Sequence, residues 1–124
     1  MEKAVKVLIV DDEKDVCFLL STILKTRNMQ TICVNSINEA RSELLKDDPA
    51  VIFLDNHLPD GFGLHFIDEI RTLRPNIKIV MITAYDTNTD KDKAYLAGVD
   101  FFIGKPFTRD NIFSAVESLV NLNA

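Results

Sequence analysis

Four short apolar runs in this chain each lead to a polar residue that a strand interior would not tolerate. Val5 to Val10 gives way to Asp11-Asp12, Val51 to Leu54 to Asp55, Ile77 to Ile82 to Thr83, and Phe101-Phe102-Ile103 comes just before Lys105-Pro106. Between these runs the apolar spacing changes to threes and fours. Such alternation marks repeated βα units around a parallel sheet covered on both faces. Strands are predicted over residues 5–10, 30–34, 50–54, 77–82 and 100–103. Parallel strands bring their carboxyl ends to one edge, where open α/β sheets hold their sites. Three acids, a hydroxyl and an amine are therefore expected to gather there.

Five helices follow from the spacing. The first is expected over 14–27, with Val16, Leu20, Ile23 and Leu24 on one face. Ser36 with Glu39 three residues later forms a capping box for the second, ahead of Ala40, Leu44 and Leu45. The third, from about Gly63 to Leu73, carries Leu64, Ile67 and Ile70 and cannot pass Pro75. The fifth is capped by Thr108 and buries Ile112, Ala115, Val116 and Leu119. In the fourth, the stretch Thr87 to Lys93 is polar throughout, and only Ala94, Leu96 and Ala97 offer an apolar side. A segment that buries so little belongs to the low-stability end of a domain, where moving elements are found.

A length of 124 residues suits one domain, 1–124, large enough for its own core. The net charge of −5 and the scattered basic residues leave no footprint for a nucleic-acid backbone. The amino terminus has neither a signal-peptide pattern nor a spanning segment, so a soluble, cytoplasmic protein without membrane contact is expected. Cys17 and Cys33 lack metal spacing and read as buried small hydrophobes, while His57 and His65 bracket no cysteine, which sets zinc aside.

Carboxylates Asp11, Asp12 and Asp55 brought together would repel one another and raise their pKa values unless a cation sat among them. Mg2+ suits them, since it prefers hard oxygen ligands and is commonly held by one or two carboxylates beside a phosphoryl group. Lys105 adds a positive charge and Thr83 a hydrogen-bond donor, the electrostatic requirements of phosphoryl transfer. Taken singly, Asp11 or Asp12 could cap the first helix, Asp55 and Thr83 could be turn residues, and Lys105 a surface lysine. The order in which they end successive strands favours the common site.

The segments Val10-Asp11-Asp12-Glu13, Leu54-Asp55, Leu58-Pro59-Asp60-Gly61-Phe62-Gly63, Ile82-Thr83-Ala84, Ala97 to Phe102 and Gly104-Lys105-Pro106-Phe107 closely resemble the receiver domains of two-component response regulators. The resemblance covers nearly the whole chain. It implies a flavodoxin-like, doubly wound (βα)5 fold with strand order 2-1-3-4-5. It further implies that Asp55 accepts a phosphoryl group from the phosphohistidine of a sensor histidine kinase or histidine phosphotransfer protein. Asp12 would then bind Mg2+ directly, Asp11 largely through water, with Asp55 and the main-chain carbonyl of His57 completing the protein's ligands. Thr83, Lys105 and the amides of Asn56 and Ala84 would contact the phosphoryl oxygens, and Lys105-Pro106 is a candidate cis peptide. Thr83 and Phe102 would form the switch, and the fourth helix, fifth strand and fifth helix the face that meets a downstream protein. His57 and Tyr85 match variable positions that tune phosphoryl lifetime. Phosphorylation-dependent homodimerisation is compatible with the resemblance.

Self-phosphotransfer and self-dephosphorylation, without turnover of a separate substrate, are the activities expected. A haloacid-dehalogenase-type phosphatase would need a second aspartate two residues after Asp55, where His57 stands. An FMN carrier would need a phosphate loop after the first strand, where Asp11-Asp12-Glu13 would repel the phosphate. A receiver-like interaction module that is never phosphorylated is the remaining alternative. Only Asn121-Leu122-Asn123-Ala124 follow the fifth helix. Output is therefore expected through a protein contact or from sequence beyond this end.

Overall fold

A computed structural model describes residues 5–85 and 87–119. The segments Met1 to Ala4 and Asn121 to Ala124 considered above lie outside the described residues. Five strands, β1 (Val5–Val10), β2 (Met29–Val34), β3 (Val51–Asp55), β4 (Lys78–Thr83) and β5 (Phe101–Gly104), form one sheet. All its pairings are parallel and the order is β2-β1-β3-β4-β5, the flavodoxin-like arrangement expected.

Successive strand residues point to opposite faces, so a sheet covered on both sides needs apolar residues throughout. Val7, Ile9, Phe53, Val80, Ile82 and Ile103 pack beneath α1 (Lys14–Lys25) and α5 (Arg109–Leu119). Leu8, Val10, Ile52, Leu54, Ile79 and Met81 pack beneath α2 (Ile37–Lys46), α3 (Ile67–Leu73) and α4 (Asn88–Ala97). Every residue of β3, the central strand, is buried.

Two strand ends differ from expectation in a way that matters for the site. β3 includes Asp55 and β4 includes Thr83, because the ladder continues with Asp55 opposite Ile82 and Thr83 opposite Gly104. The sheet, rather than loose loops, therefore fixes both backbones. α1 stops at Lys25, short of 27, where Thr26 Oγ1 donates to Ile23 O at 2.6 Å and Asn28 turns the chain with φ 60.

Capping follows the sequence with one adjustment. Ser36 Oγ accepts from the Glu39 amide at 3.1 Å, but Glu39 Oε1 reaches the Asn35 amide rather than that of Ser36. Asp60 supplies the rest, accepting from the amides of Ile37 and Asn38 at 2.9 and 3.0 Å. Thr108 Oγ1 caps α5 through the Asn111 amide. The third helix opens with a 3-10 turn, Gly63–Phe66, before becoming α-helical.

α4 is as thinly packed as its composition suggests, with Ala94 its one buried residue. Leu96, expected on the apolar side, is 89% exposed. Two residues along a helix amount to about 200°, which turns position 96 away from the face that buries Ala94. Gly98 ends the helix at φ 112, a left-handed conformation favourable to glycine, and its amide donates to the carbonyls of Ala94 and Tyr95. Among the described residues no helix is long and apolar enough to cross a membrane.

Candidate functional site

At the carboxyl edge of the sheet, Asp55 ends β3 with 4% exposure. The loop after it folds back tightly: Asn56 Oδ1 accepts from the Leu64 amide at 2.8 Å and Asn56 O from the Gly63 amide at 2.9 Å. A Cβ at Gly63 would collide with the carbonyl oxygen of Asp55, so glycine is required there by close approach. Between these points His57–Leu58 pairs antiparallel with Gly61–Phe62. The His57 amide lies 3.4 Å from Asp55 Oδ1.

Asp11, at the end of β1, is fully buried, whereas Asp12 is exposed. The Asp11 backbone is fixed by its amide donating to Val34 O at 3.0 Å, and its Oδ1 accepts from the Glu13 amide at 2.9 Å. This bond fixes the residue that precedes α1, but neither Asp11 nor Asp12 caps the helix, whose N-cap position is Glu13 and which has no side-chain cap hydrogen bond. One carboxylate oxygen from each of Asp11, Asp12 and Asp55 lies within 4.8 Å of the others.

Burial, followed by the charge of Asp11, raises the Asp55 pKa to about 6, against the opposing pull of Lys105 and the His57 amide. Burial also raises that of Asp11, although the Glu13 amide and Lys105 act the other way. Loss of solvation is therefore the leading cause at both residues, and repulsion between the two carboxylates adds to it only at Asp55.

Lys105 follows β5 and reaches back along the edge. Its Nζ stands 2.9 Å from Asp11 Oδ2, 2.9 Å from Glu13 Oε1 and 3.7 Å from Asp55 Oδ2. The contact with Asp11 is a charge pair without hydrogen-bond alignment, which leaves the buried Oδ2 with no bonded donor. Burial works to lower the Lys105 pKa, but the bond to Glu13, the pairing with Asp11 and the charge of Asp55 raise it on balance. The lysine is firmly cationic. The clustered carboxylate oxygens of Asp11, Asp12 and Asp55 are the hard donor set that suits a divalent cation.

Thr83 is 2% exposed, and its Oγ1 accepts from the Tyr85 amide at 3.2 Å. Its carbonyl accepts from the Lys105 amide at 2.8 Å, joining the ends of β4 and β5, and the Lys105–Pro106 peptide is cis. Phe102 points into the core beneath α4 with 7% exposure, its ring centroid 6.0 Å from Lys91 Nζ. Ala84 is exposed beside Thr83. The rings of His57 and Tyr85 stack with centroids 4.1 Å apart, and Phe62 meets His57 edge-on at 5.3 Å.

Sequence reasoning missed three participants. Glu13 tethers Lys105, Gly63 admits the Asp55 carbonyl, and Asp60 caps α2 from across the loop. The Asp60-Gly61 turn signal was visible, but no local pattern reveals a cap for a helix 23 residues earlier.

A family model described as the response regulator receiver domain matches residues 7–117. Among solved structures, a two-component response regulator from Clostridium difficile is 25% identical with TM-score 0.90, over 97% of this chain and 99% of that chain. A response regulator from Chloroflexus aurantiacus is 26% identical with TM-score 0.90, over 96% and 99%. The beryllofluoride-activated NtrC4 receiver domain dimer is 29% identical with TM-score 0.89, over 94% and 96%. With the family model spanning residues 7–117 and the same fold throughout, this chain belongs to the response regulator receiver domain family.

Proposed function

We propose that this chain, acting as a single receiver domain, takes a phosphoryl group from the phosphohistidine of a sensor histidine kinase or histidine phosphotransfer protein onto Asp55. An Asp55 carboxylate oxygen forms the new P–O bond while the P–N bond of the donor breaks, its electron pair returning to the imidazole. The observation that carries this reading is the setting of Asp55: a buried carboxylate with Asp11 and Asp12 within a cation's reach and Lys105 Nζ at 3.7 Å.

Receiver domains generally bind Mg2+ at such an acidic pocket. Here Asp11, Asp12, Asp55 and the carbonyl of His57 would hold it, and when bound it neutralises charge on the phosphoryl oxygens. Lys105 neutralises charge from the other side, Thr83 donates its hydroxyl, and the amides of Asn56 and Ala84 orient the group. Phosphate chemistry stays within the chain, as self-phosphotransfer and self-dephosphorylation, rather than turnover of a separate substrate. His57 and Tyr85, stacked two residues beyond Asp55 and Thr83, restrict attacking water and lengthen the phosphoryl lifetime.

The downstream response is a population shift. Thr83 moves toward the phosphoryl group, Phe102 holds its buried position behind it, and α4, β5 and α5 present the altered face to a protein partner. A thinly packed α4 supports this, because a two-state element must lie close in energy to its alternative. A second copy of the chain is one candidate partner, given that the similar NtrC4 receiver is an activated dimer. These interactions suit a cytoplasmic signalling protein.

Beryllofluoride titration with and without Mg2+, followed by fluorine NMR, tests the reading. Binding that needs both Mg2+ and Asp55, and is lost in Asp55→Asn, supports it. Failure of the wild-type chain to bind would instead favour a passive interaction module.

A further inference from the structure

The two cysteines, expected to be separate buried residues, meet. Cys17 lies on the first turns of α1 and is buried, but Cys33 lies on the edge strand β2 and is exposed. Their sulphurs are in contact between helix and strand, with Cα atoms 6.0 Å apart and a sequence separation of 16. That Cα separation is within the span a disulfide requires. The chain has no other cysteine to compete.

The surroundings connect this pair to the acidic loop. Cys17 Sγ is 3.5 Å from the carbonyl oxygen of Asp11, and Cys33 Sγ is 3.8 Å from that of Val34. The same Val34 oxygen accepts the Asp11 amide at 3.0 Å. Both sulphurs thus border the main chain that fixes Asp11.

We propose that Cys17 and Cys33 are a reversible redox modification site, oxidised by exchange with a small aliphatic disulfide. The difference in exposure assigns the roles. The Cys33 thiolate attacks one sulphur of the incoming disulfide, forming a mixed disulfide and expelling a thiolate. Cys17 Sγ then attacks the Cys33 sulphur, closing the protein disulfide and expelling the second thiolate. Two protein thiols become one S–S bond, the incoming S–S bond becomes two thiols, and the two protons pass to the departing thiolates. A dithiol reductant reverses both steps. Oxidation ties α1 to the sheet edge and restrains the segment between β1 and α1; in a reducing compartment such a link is transient and suited to sensing.

Oxidised glutathione applied to the fully reduced chain, with intact mass spectrometry, tests the proposal. Wild-type protein should lose two hydrogens as a monomer, with both thiols protected from alkylation and restored by dithiothreitol. Cys17→Ser should stop at one bound glutathione on Cys33, and Cys33→Ser should not react while folded. The oxidised wild type should melt at a higher temperature than the reduced form. A wild type that stops at the mixed disulfide, links only between molecules, or melts no higher when oxidised would overturn it.

Discussion

Lys105 Nζ lies 2.9 Å from Asp11 Oδ2 across the carboxyl edge of the sheet, 0.8 Å closer than its 3.7 Å approach to Asp55 Oδ2. With Glu13 as its second partner, the lysine is held by the β1 end of the site. A cation entering among Asp11, Asp12 and Asp55 meets a positive charge already in place, and unit charges about 4 Å apart interact by several kcal/mol at most in such surroundings. Lys105→Ala should therefore tighten Mg2+ binding severalfold, measured by calorimetry, while slowing phosphorylation by acetyl phosphate. Weaker Mg2+ binding in the variant would contradict this balance of charges.

The raised pKa of Asp55 carries a sign for stability. At about 6 in the fold, against ~3.9 in an unfolded chain, Asp55 leaves the native state holding more protons through the intervening pH range. Its contribution to stability is then present below pH ~4 and is lost as pH rises to about 6. In the absence of divalent cations, Asp55→Asn should be more stable than wild type at pH 7 by about 1–3 kcal/mol. The two should converge near pH 4. Urea unfolding at both pH values measures the difference, and a gap that widens on acidification would refute the sign.

Gly63 should tolerate no side chain. Its Cβ would strike the Asp55 carbonyl and press on Leu54, so Gly63→Ala must displace the loop or the strand end. Overpacking of this kind costs about 1–3 kcal/mol. A lowered melting temperature together with slower phosphorylation is expected. Unchanged values in both would show that the loop yields freely.

Tyr85 stacks on His57 at 4.1 Å and is 58% exposed, which places an aromatic pair at the outer side of the site. Tyr85→Ala should speed loss of phosphate from the phosphorylated domain severalfold. An unchanged rate of phosphate release would remove Tyr85 from any shielding role.

The fold was legible because parallel strands buried on both faces must be continuously apolar, leaving Asp55, Thr83 and the Asp11-Asp12 pair conspicuous at their ends. Regular alternation then located all five helices. Register was harder: whether Asp55 and Thr83 belong to strands depends on the ladder with neighbouring strands, which no local window contains. Long-range polar contacts were beyond local patterns for the same reason. Lys105 meets Glu13 over 92 residues, and Asp60 caps Ile37 over 23. Leu96 misled because an apolar residue in a weakly amphipathic helix can face either way. Cys17 and Cys33 carried no spacing signal, and only the packing of α1 on β2 brings them together.

Intact mass spectrometry after incubation with acetyl phosphate and Mg2+ tests the central claim most directly. The account predicts a gain of one phosphoryl group by the wild-type chain, abolished by chelation and absent from Asp55→Asn. No gain under these conditions, or an equal gain in Asp55→Asn, would contradict it.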